Sequence, residues 1–203
     1  MQFLHQLHQW LVQAMQLAPL AAVVAVAIGW IVTYANSLRL ERQKAQIKFV
    51  SDQLQFLYGP LFSLSSASFT AWQEFTSTWP PGREAFFGID PPPTEEELKQ
   101  WRLWMSEVFM PLNLRIEKAI VENAHLIEGG DMPAEFTQFL AHVAVYKIVL
   151  KSWERNDFTR HIAHGNYPRD FDETVAKTFR NLKRRQTQLI GEQSARKRFG
   201  GAL

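Results

Sequence analysis

The first pattern in the chain is an unbroken apolar run near its N-terminus. Residues 17–35 read LAPLAAVVAVAIGWIVTYA, nineteen residues without a charged side chain. A helix rising 1.5 Å per residue needs roughly 20 apolar residues to cross a bilayer, so this run predicts one transmembrane helix, placed at residues 17–36. Pro19 suits the first turn of such a helix, where its missing N–H costs nothing. A buried core helix is the alternative, disfavoured by the one-sided basic cluster that follows the run.

The segments on either side of this run carry helical patterns of their own. Residues 1–16 repeat apolar side chains at helical spacing beside a stripe of glutamines. This pattern predicts an amphipathic segment that lies at the outer membrane interface or contacts a partner span. Residues 37–58 continue the helical pattern and predict a juxtamembrane helix, which Gly59 and Pro60 are expected to kink or end.

The rest of the chain predicts a helical bundle at residues 59–191 and a basic tail at residues 192–203. Apolar side chains recur three or four positions apart in about five segments, and no alternating strand pattern is present. The predicted fold class is therefore all-α, with one N-terminal transmembrane helix that continues into a cytoplasmic bundle of about five helices.

Capping residues, prolines and glycines predict where these helices begin and end. Thr94, followed by three glutamates, is typical of a helix start. Pro111 predicts an interruption, the pair Gly129–Gly130 predicts a helix end, and Gly191 is expected to close the last helix. The loop at residues 80–93 contains five prolines, and its two phenylalanines are expected to be pinned against the body.

Charged residues are distributed unevenly along the chain. Residues 1–38 carry none, residues 39–48 a net +3, residues 49–176 a net −8 and residues 177–203 a net +7. Basic residues that flank a membrane span stay on the cytoplasmic side. The order therefore predicts a single-span membrane protein with its N-terminus outside and its C-terminal domain in the cytoplasm. The basic residues next to the span are Arg39, Arg42, Lys44 and Lys48.

A second basic face lies near the C-terminus, where Lys177, Arg180 and Arg184 share one side of the last predicted helix. On a membrane-anchored protein, such a face can contact anionic lipid headgroups. The same charges also suit the phosphates of RNA, which is the less favoured partner, and a solvated face with counter-ions is the third interpretation.

Residues suited to catalysis are sparse. The chain has no cysteine, which excludes a disulfide scaffold and a Cys-ligated metal, and it lacks glycine-rich phosphate loops and HExxH or G-x-S-x-G motifs. His142 and Tyr146 lie one helical turn apart and are expected to share a polar spot. No metal site and no cofactor are predicted.

One short segment resembles a catalytic signature. The spacing of Arg155 and His161 is similar to the Arg-x(4–6)-His signature of the HEPN ribonucleases, which are also small helical bundles. The resemblance implies that the histidine assists proton transfer at the ribose 2′-hydroxyl or leaving oxygen, while the arginine stabilises phosphorane charge. A solvated loop is the competing interpretation.

Four segments carry a wider resemblance: RLERQK at 39–44, LYGPL at 57–61, WRLWMSEVFMPLN at 101–113 and LAHVAVYK at 140–147. Through them the whole chain resembles a family of bacterial membrane proteins of uncharacterised activity, which have one span, a juxtamembrane helix and a helical domain. The resemblance implies a bacterial inner-membrane protein with a periplasmic N-terminus. Its layout is also similar to the HEPN-like membrane accessory proteins of type VI CRISPR systems, which assemble into pore-forming rings.

The span itself indicates self-association. Its small residues Ala18, Ala22, Ala25 and Gly29 permit close helix packing. The sequence thus favours a non-enzymatic, single-pass inner-membrane protein whose cytoplasmic domain mediates contacts, with lipids, further copies or other membrane subunits as partners. The alternative function is a membrane-tethered HEPN-like ribonuclease or pore-forming phage-defence effector.

Overall fold

The computed structural model describes residues 2–80, 83, 85–88, 90–163 and 167–200, and their side chains except those of 2–21 and 196–200. Within these ranges the regular structure is helical and no strand occurs. The all-α prediction is therefore confirmed. The chain divides into two units, Met1–Ile47 and Lys48–Leu203.

Six α-helices and three short helical segments of other types make up the described fold. Two of the short segments are π-helical, Gln53–Tyr58 and Met105–Phe109, and one is a 3₁₀-helix, Ala124–Leu126. The α-helices are α1 (Gln2–Asp52), α2 (Gly59–Ser77), α3 (Glu95–Trp104), α4 (Met110–Glu122), α5 (Ala134–Glu154) and α6 (Phe171–Gly200).

The N-terminal unit consists of the first part of α1. An unbroken helix from Ala22 to Ser77 is long and apolar enough to cross a membrane, and none of its most apolar window is buried. Helix α1 begins at Gln2, so the expectation that Pro19 lies in a first helical turn is wrong. Residues 2–18 contain neither glycine nor proline, and nothing in them interrupts the helix before Pro19.

The prolines at 60 and 111 do not end helices. Each follows a π-helical segment: Gly59 donates its N–H to the carbonyl of Leu54, and Met110 donates to that of Met105, in both cases five residues back. The helix ends expected at Pro60 and Pro111 are therefore wrong. One extra residue in the turn lets the helix continue without the hydrogen bond that proline lacks.

The core of the second unit lies between α2, α4, α5 and α6. Helix α2 contacts α4 and α6, and α5 packs against the same two helices. Each fully buried aliphatic or aromatic side chain contributes about 1.5–3 kcal/mol relative to an exposed one. The fully buried residues include Leu57, Leu61, Ile116, Ile120, Phe136, Phe139 and Phe171.

The predicted start of α3 is confirmed as a reciprocal capping box. The Thr94 hydroxyl accepts from the backbone N–H of Glu97, and the Glu97 carboxylate accepts from the backbone N–H of Thr94. This exchange satisfies two donors that the first turn would otherwise leave free.

Two predicted helix ends are wrong. Helix α4 ends at Glu122 rather than at Gly129–Gly130, because Asn123 leaves the helical region and donates its side-chain N–H to the Ala119 carbonyl at 3.0 Å. Helix α6 continues through Gly191 to Gly200, so the segment after Ile190 is helical. A single glycine costs a helix only about 1 kcal/mol and does not have to end it.

The proline-rich loop packs on the body as expected. Phe86 is buried, and its ring stacks on that of Trp101 with the centroids 5.4 Å apart. Arg83 forms an ion pair with Glu97, the residue that also caps α3. The loop is thus attached to the first turn of α3 by charge and to the end of that helix by aromatic packing.

Candidate functional site

The second unit contains a cavity of about 480 Å³. This volume lies within the range of roughly 300–1,000 Å³ that is typical of small-molecule sites. Five residues form what we call the aromatic wall: Phe69, Trp72, Phe87, Trp101 and Phe109. Four others form the polar cluster: His142, Tyr146, Tyr167 and Asp172.

The aromatic wall is assembled from three parts of the chain. Trp101 and Phe109 come from the stretch α3 to α4, Phe69 and Trp72 from α2, and Phe87 from the proline-rich loop. Trp101 meets Trp72 nearly at right angles, with centroids 6.4 Å apart, and meets Phe87 in the same way at 5.2 Å. Such edge-to-face pairs are favourable and fix the orientation of the rings.

The polar cluster is held together by short contacts between α5, the segment before α6 and α6 itself. The Tyr167 hydroxyl donates to Asp172 Oδ1 at 2.7 Å. The His142 ring lies 4.9 Å from that of Tyr146 and 5.8 Å from that of Tyr167. The one-turn spacing of His142 and Tyr146 therefore brings both into one polar site.

Burial changes the acid–base properties of the polar cluster. It raises the pKa of Asp172 above the usual range of a carboxyl, although the hydrogen bond from Tyr167 opposes this shift. Burial also raises the pKa of Tyr146 to about 12, and burial together with the Asp172 charge raises the pKa of Tyr167. Both phenols are therefore neutral near pH 7, while the ionised form of Asp172 is disfavoured.

A further polar residue of the cavity lacks a hydrogen-bond partner. Asn113 on α4 is only 4% exposed, lines the cavity, and its Oδ1 accepts no hydrogen bond among the described residues. An unpaired buried acceptor costs about 1–3 kcal/mol.

Two indole groups hold the loop after α5 against the cavity. Trp153 donates to the Arg160 carbonyl and Trp101 to the His161 carbonyl, both at 2.7 Å. The next two residues of the loop, Ile162 and Ala163, then line the cavity.

The two residues of the ribonuclease-like signature lie in different surroundings. His161 is partly buried beside Phe87, and burial followed by the nearby Arg102 charge lowers its pKa. Arg155 is exposed at the C-terminal end of α5, and no described hydrogen bond or ion pair joins it to His161. Neither residue lines the cavity.

The predicted lipid- or phosphate-contacting residues are all exposed and lie outside the cavity. Among those near the apolar run, Lys44 pairs with Glu41 at 2.7 Å and Lys48 with Asp52 at 2.6 Å. The exposed set comprises Arg39, Arg42, Lys44, Lys48, Lys177, Arg180 and Arg184.

The small residues of the predicted packing face lie on one continuous helix. Ala22 and Ala25 are exposed, and a Cβ added to Gly29 would meet no atom within 4 Å. The side chain of Ala18 lies outside the described side chains, as do those of the predicted amphipathic segment 1–16.

Sequence reasoning did not find Asn113, Tyr167 or Asp172, nor the aromatic wall as a site. A signal for Asn113 was present, because it follows Trp101, Met105 and Phe109 at successive four-residue steps and is the polar member of an apolar stripe. For Tyr167 and Asp172 the chain offers no comparable pattern, since they join the site through tertiary packing.

Comparison with known proteins does not assign a function, so the residues of the cavity are the basis for one. No group of three or more His, Asp or Glu side chains that could hold a metal ion occurs in the part of the chain that the structure describes. Family models, curated sequences and solved structures were all compared with the chain, and none of them matches it.

Proposed function

We propose that this chain is a single-pass protein of the bacterial inner membrane whose cytoplasmic helical domain binds a small molecule without transforming it. The N-terminus is periplasmic, and the span associates with further copies or with other membrane subunits. The observation that carries the ligand-binding role is the cavity of about 480 Å³, which combines the five side chains of the aromatic wall with the four of the polar cluster.

The composition of the cavity supports binding rather than catalysis. Small-molecule sites are mostly apolar and contain a few polar groups that fix the ligand's orientation. The cavity has this composition. Its tyrosine hydroxyls have raised pKa values, so they stay protonated near neutral pH and cannot act as bases. Ser68 lines the cavity, but it belongs to no described triad with a histidine and a carboxylate.

The exposed apolar part of α1 supports the membrane anchor. Its valine, isoleucine and tryptophan side chains are more than half exposed, including Val26 and Trp30. An apolar surface of this extent needs a bilayer or another protein to cover it. The exposed basic residues that follow the run support the cytoplasmic position of the second unit.

Ligand binding can be tested with a single cysteine, because the chain has none of its own. Ser68→Cys places a thiol on the cavity wall. We expect indole, a neutral aromatic probe, to slow the reaction of this thiol with methyl methanethiosulfonate in the full-length protein in nanodiscs.

The matched control is Ser63→Cys, an exposed position on the same helix that does not line the cavity. Its reaction rate is expected to be the same with and without indole. Equal rates for Ser68→Cys with and without indole, at concentrations up to its solubility limit, would contradict binding of a neutral aromatic ligand, and equal rates with charged small molecules as well would contradict the ligand-binding role.

The membrane orientation is tested in the same cysteine-free background. His5→Cys is expected to react with a membrane-impermeant maleimide in intact spheroplasts, whereas Glu192→Cys is expected to react only after lysis. The reverse pattern would contradict the proposed topology. The ribonuclease alternative receives no support from the position of Arg155 and stays a prediction from the sequence.

A further inference from the structure

The cavity contains a single carboxylate. Asp172 is the one carboxylate among its described lining residues, which include no lysine or arginine and one titratable ring, His142. The only described hydrogen bond to the Asp172 carboxylate comes from the neutral hydroxyl of Tyr167. Asp172 is partly buried, and a desolvated carboxylate without a cationic partner among the described residues is costly, so a bound cation would lower that cost.

The carboxylate decides which ligand charge the cavity suits. An anionic ligand would be repelled by Asp172, and a neutral ligand would leave its charge unbalanced. The complementary ligand therefore carries positive charge.

The aromatic wall suits a particular kind of cation. Trp72 and Trp101 stand nearly perpendicular to each other, and Phe87 stands nearly perpendicular to Trp101, so the rings form a corner. Aromatic rings attract cations through their quadrupoles, tryptophan most strongly, and the attraction reaches quaternary ammonium groups that cannot form ordinary hydrogen bonds.

From the single carboxylate and the aromatic wall we propose that the cavity binds a small organic ammonium cation, an inference that rests on the cavity being a ligand site. The ammonium group lies against the aromatic wall, and its charge is balanced by Asp172. The cation is either a free metabolite-sized molecule or the headgroup of a lipid.

Choline and 3,3-dimethyl-1-butanol provide the test, because they have the same shape and differ in charge. We expect choline to protect Ser68→Cys from methyl methanethiosulfonate in phosphatidylglycerol nanodiscs with an affinity about ten-fold higher than that of the neutral alcohol. Asp172→Asn should abolish this preference, because the amide keeps the acceptor for Tyr167 and removes the charge. Ser63→Cys is the control that neither compound should protect.

The outcomes separate this inference from the proposed function. Equal protection by choline and the alcohol overturns the ammonium site and leaves ligand binding intact, and a choline preference that survives Asp172→Asn overturns the charge balance by Asp172. Protection by indole with none by choline also overturns the ammonium site alone. No protection by any of the three compounds overturns both proposals.

Two further measurements complete the test. Circular dichroism melting of the Asp172→Asn protein shows whether that variant is folded, and the more conservative Trp72→Phe should weaken choline binding without abolishing it. Phosphatidylcholine nanodiscs distinguish the two sources of the cation. If a lipid headgroup enters the cavity, these nanodiscs protect Ser68→Cys without added choline, and if only a free cation binds, they do not.

Discussion

The apolar stretch of α1 and the core of the bundle are built from the same residue types in opposite surroundings. Ile28 is 57% exposed, whereas Ile116 is 0% exposed. In the bundle, other helices cover each apolar side chain, so its loss leaves a void. In the α1 stretch the apolar side chains are exposed, so lipid or another chain has to cover them. Hydropathy identifies both regions, but only packing distinguishes them.

The two isoleucines provide the strongest test of this contrast. Ile116→Ala removes a fully buried side chain and is expected to lower the free energy of unfolding of the bundle by about 2–5 kcal/mol. Ile28→Ala is expected to change it by less than about 0.5 kcal/mol, because its side chain is exposed. Urea unfolding of the full chain in nanodiscs, followed by tryptophan fluorescence, measures both. Equal losses for the two variants would contradict the comparison.

Two helical glycines extend the comparison of packed and open positions to the backbone. A Cβ at Gly59 would collide with the backbone carbonyl oxygen of Leu54, in the π-helical segment that precedes Pro60. Gly59→Ala is therefore expected to destabilise the bundle by about 1–3 kcal/mol. A Cβ at Gly191 meets nothing within 4 Å, so Gly191→Ala should stabilise α6 by up to about 1 kcal/mol. Thermal melting followed by circular dichroism reports both, and destabilisation by Gly191→Ala would show that the glycine has another role.

These glycines also show which parts of the fold the sequence predicts. Periodic apolar residues predict helices well, because each helix buries one stripe, and Thr94 with Glu97 predicts a cap from local chemistry alone. A π-helical segment forms when a backbone N–H bonds to the carbonyl five residues back instead of four, and local sequence does not predict that choice. The helix ends expected at Pro60 and Pro111 were wrong for that reason.

The candidate site also has a part that the local sequence predicts and a part that it does not. His142 and Tyr146 come together through the pitch of a single helix, and the sequence predicts their proximity. Asp172 meets Tyr167 next to α5, and Trp101 holds the loop at His161, through contacts between residues five and sixty positions apart. Such contacts depend on how the helices and loops pack, and no local pattern carries that information.

Asp172 offers a test in which stability and binding change in opposite directions. Because burial raises the pKa of Asp172 in the folded state, the folded protein binds a proton more tightly than the unfolded chain. The free energy of unfolding therefore falls as the pH rises from the ordinary pKa of 3.8 through the raised value, and the penalty remains at neutral pH. Asp172→Asn should remove the penalty and stabilise the bundle at about pH 7.

Unfolding of both proteins between about pH 4 and about pH 7 measures this difference, which should shrink toward the acidic end. A variant less stable than the parent at neutral pH would show that the carboxylate stabilises the fold. Greater stability combined with loss of choline protection is the pattern expected of a group kept for function.

Substitutions on the face of α1 that carries its small residues are expected to change the stability of the bundle least. Ala22 and Ala25 project to the same side of the helix, and close packing of two copies requires both to stay small. The double variant Ala22→Leu, Ala25→Leu should reduce crosslinking between full-length copies several-fold while leaving the unfolding of the bundle unchanged. Ala27→Leu, about 140° around the helix from Ala22, is the matched control and should crosslink like the parent. If the double variant crosslinks as well as Ala27→Leu does, this face does not pair the copies, and lipid or another subunit covers the exposed apolar stretch.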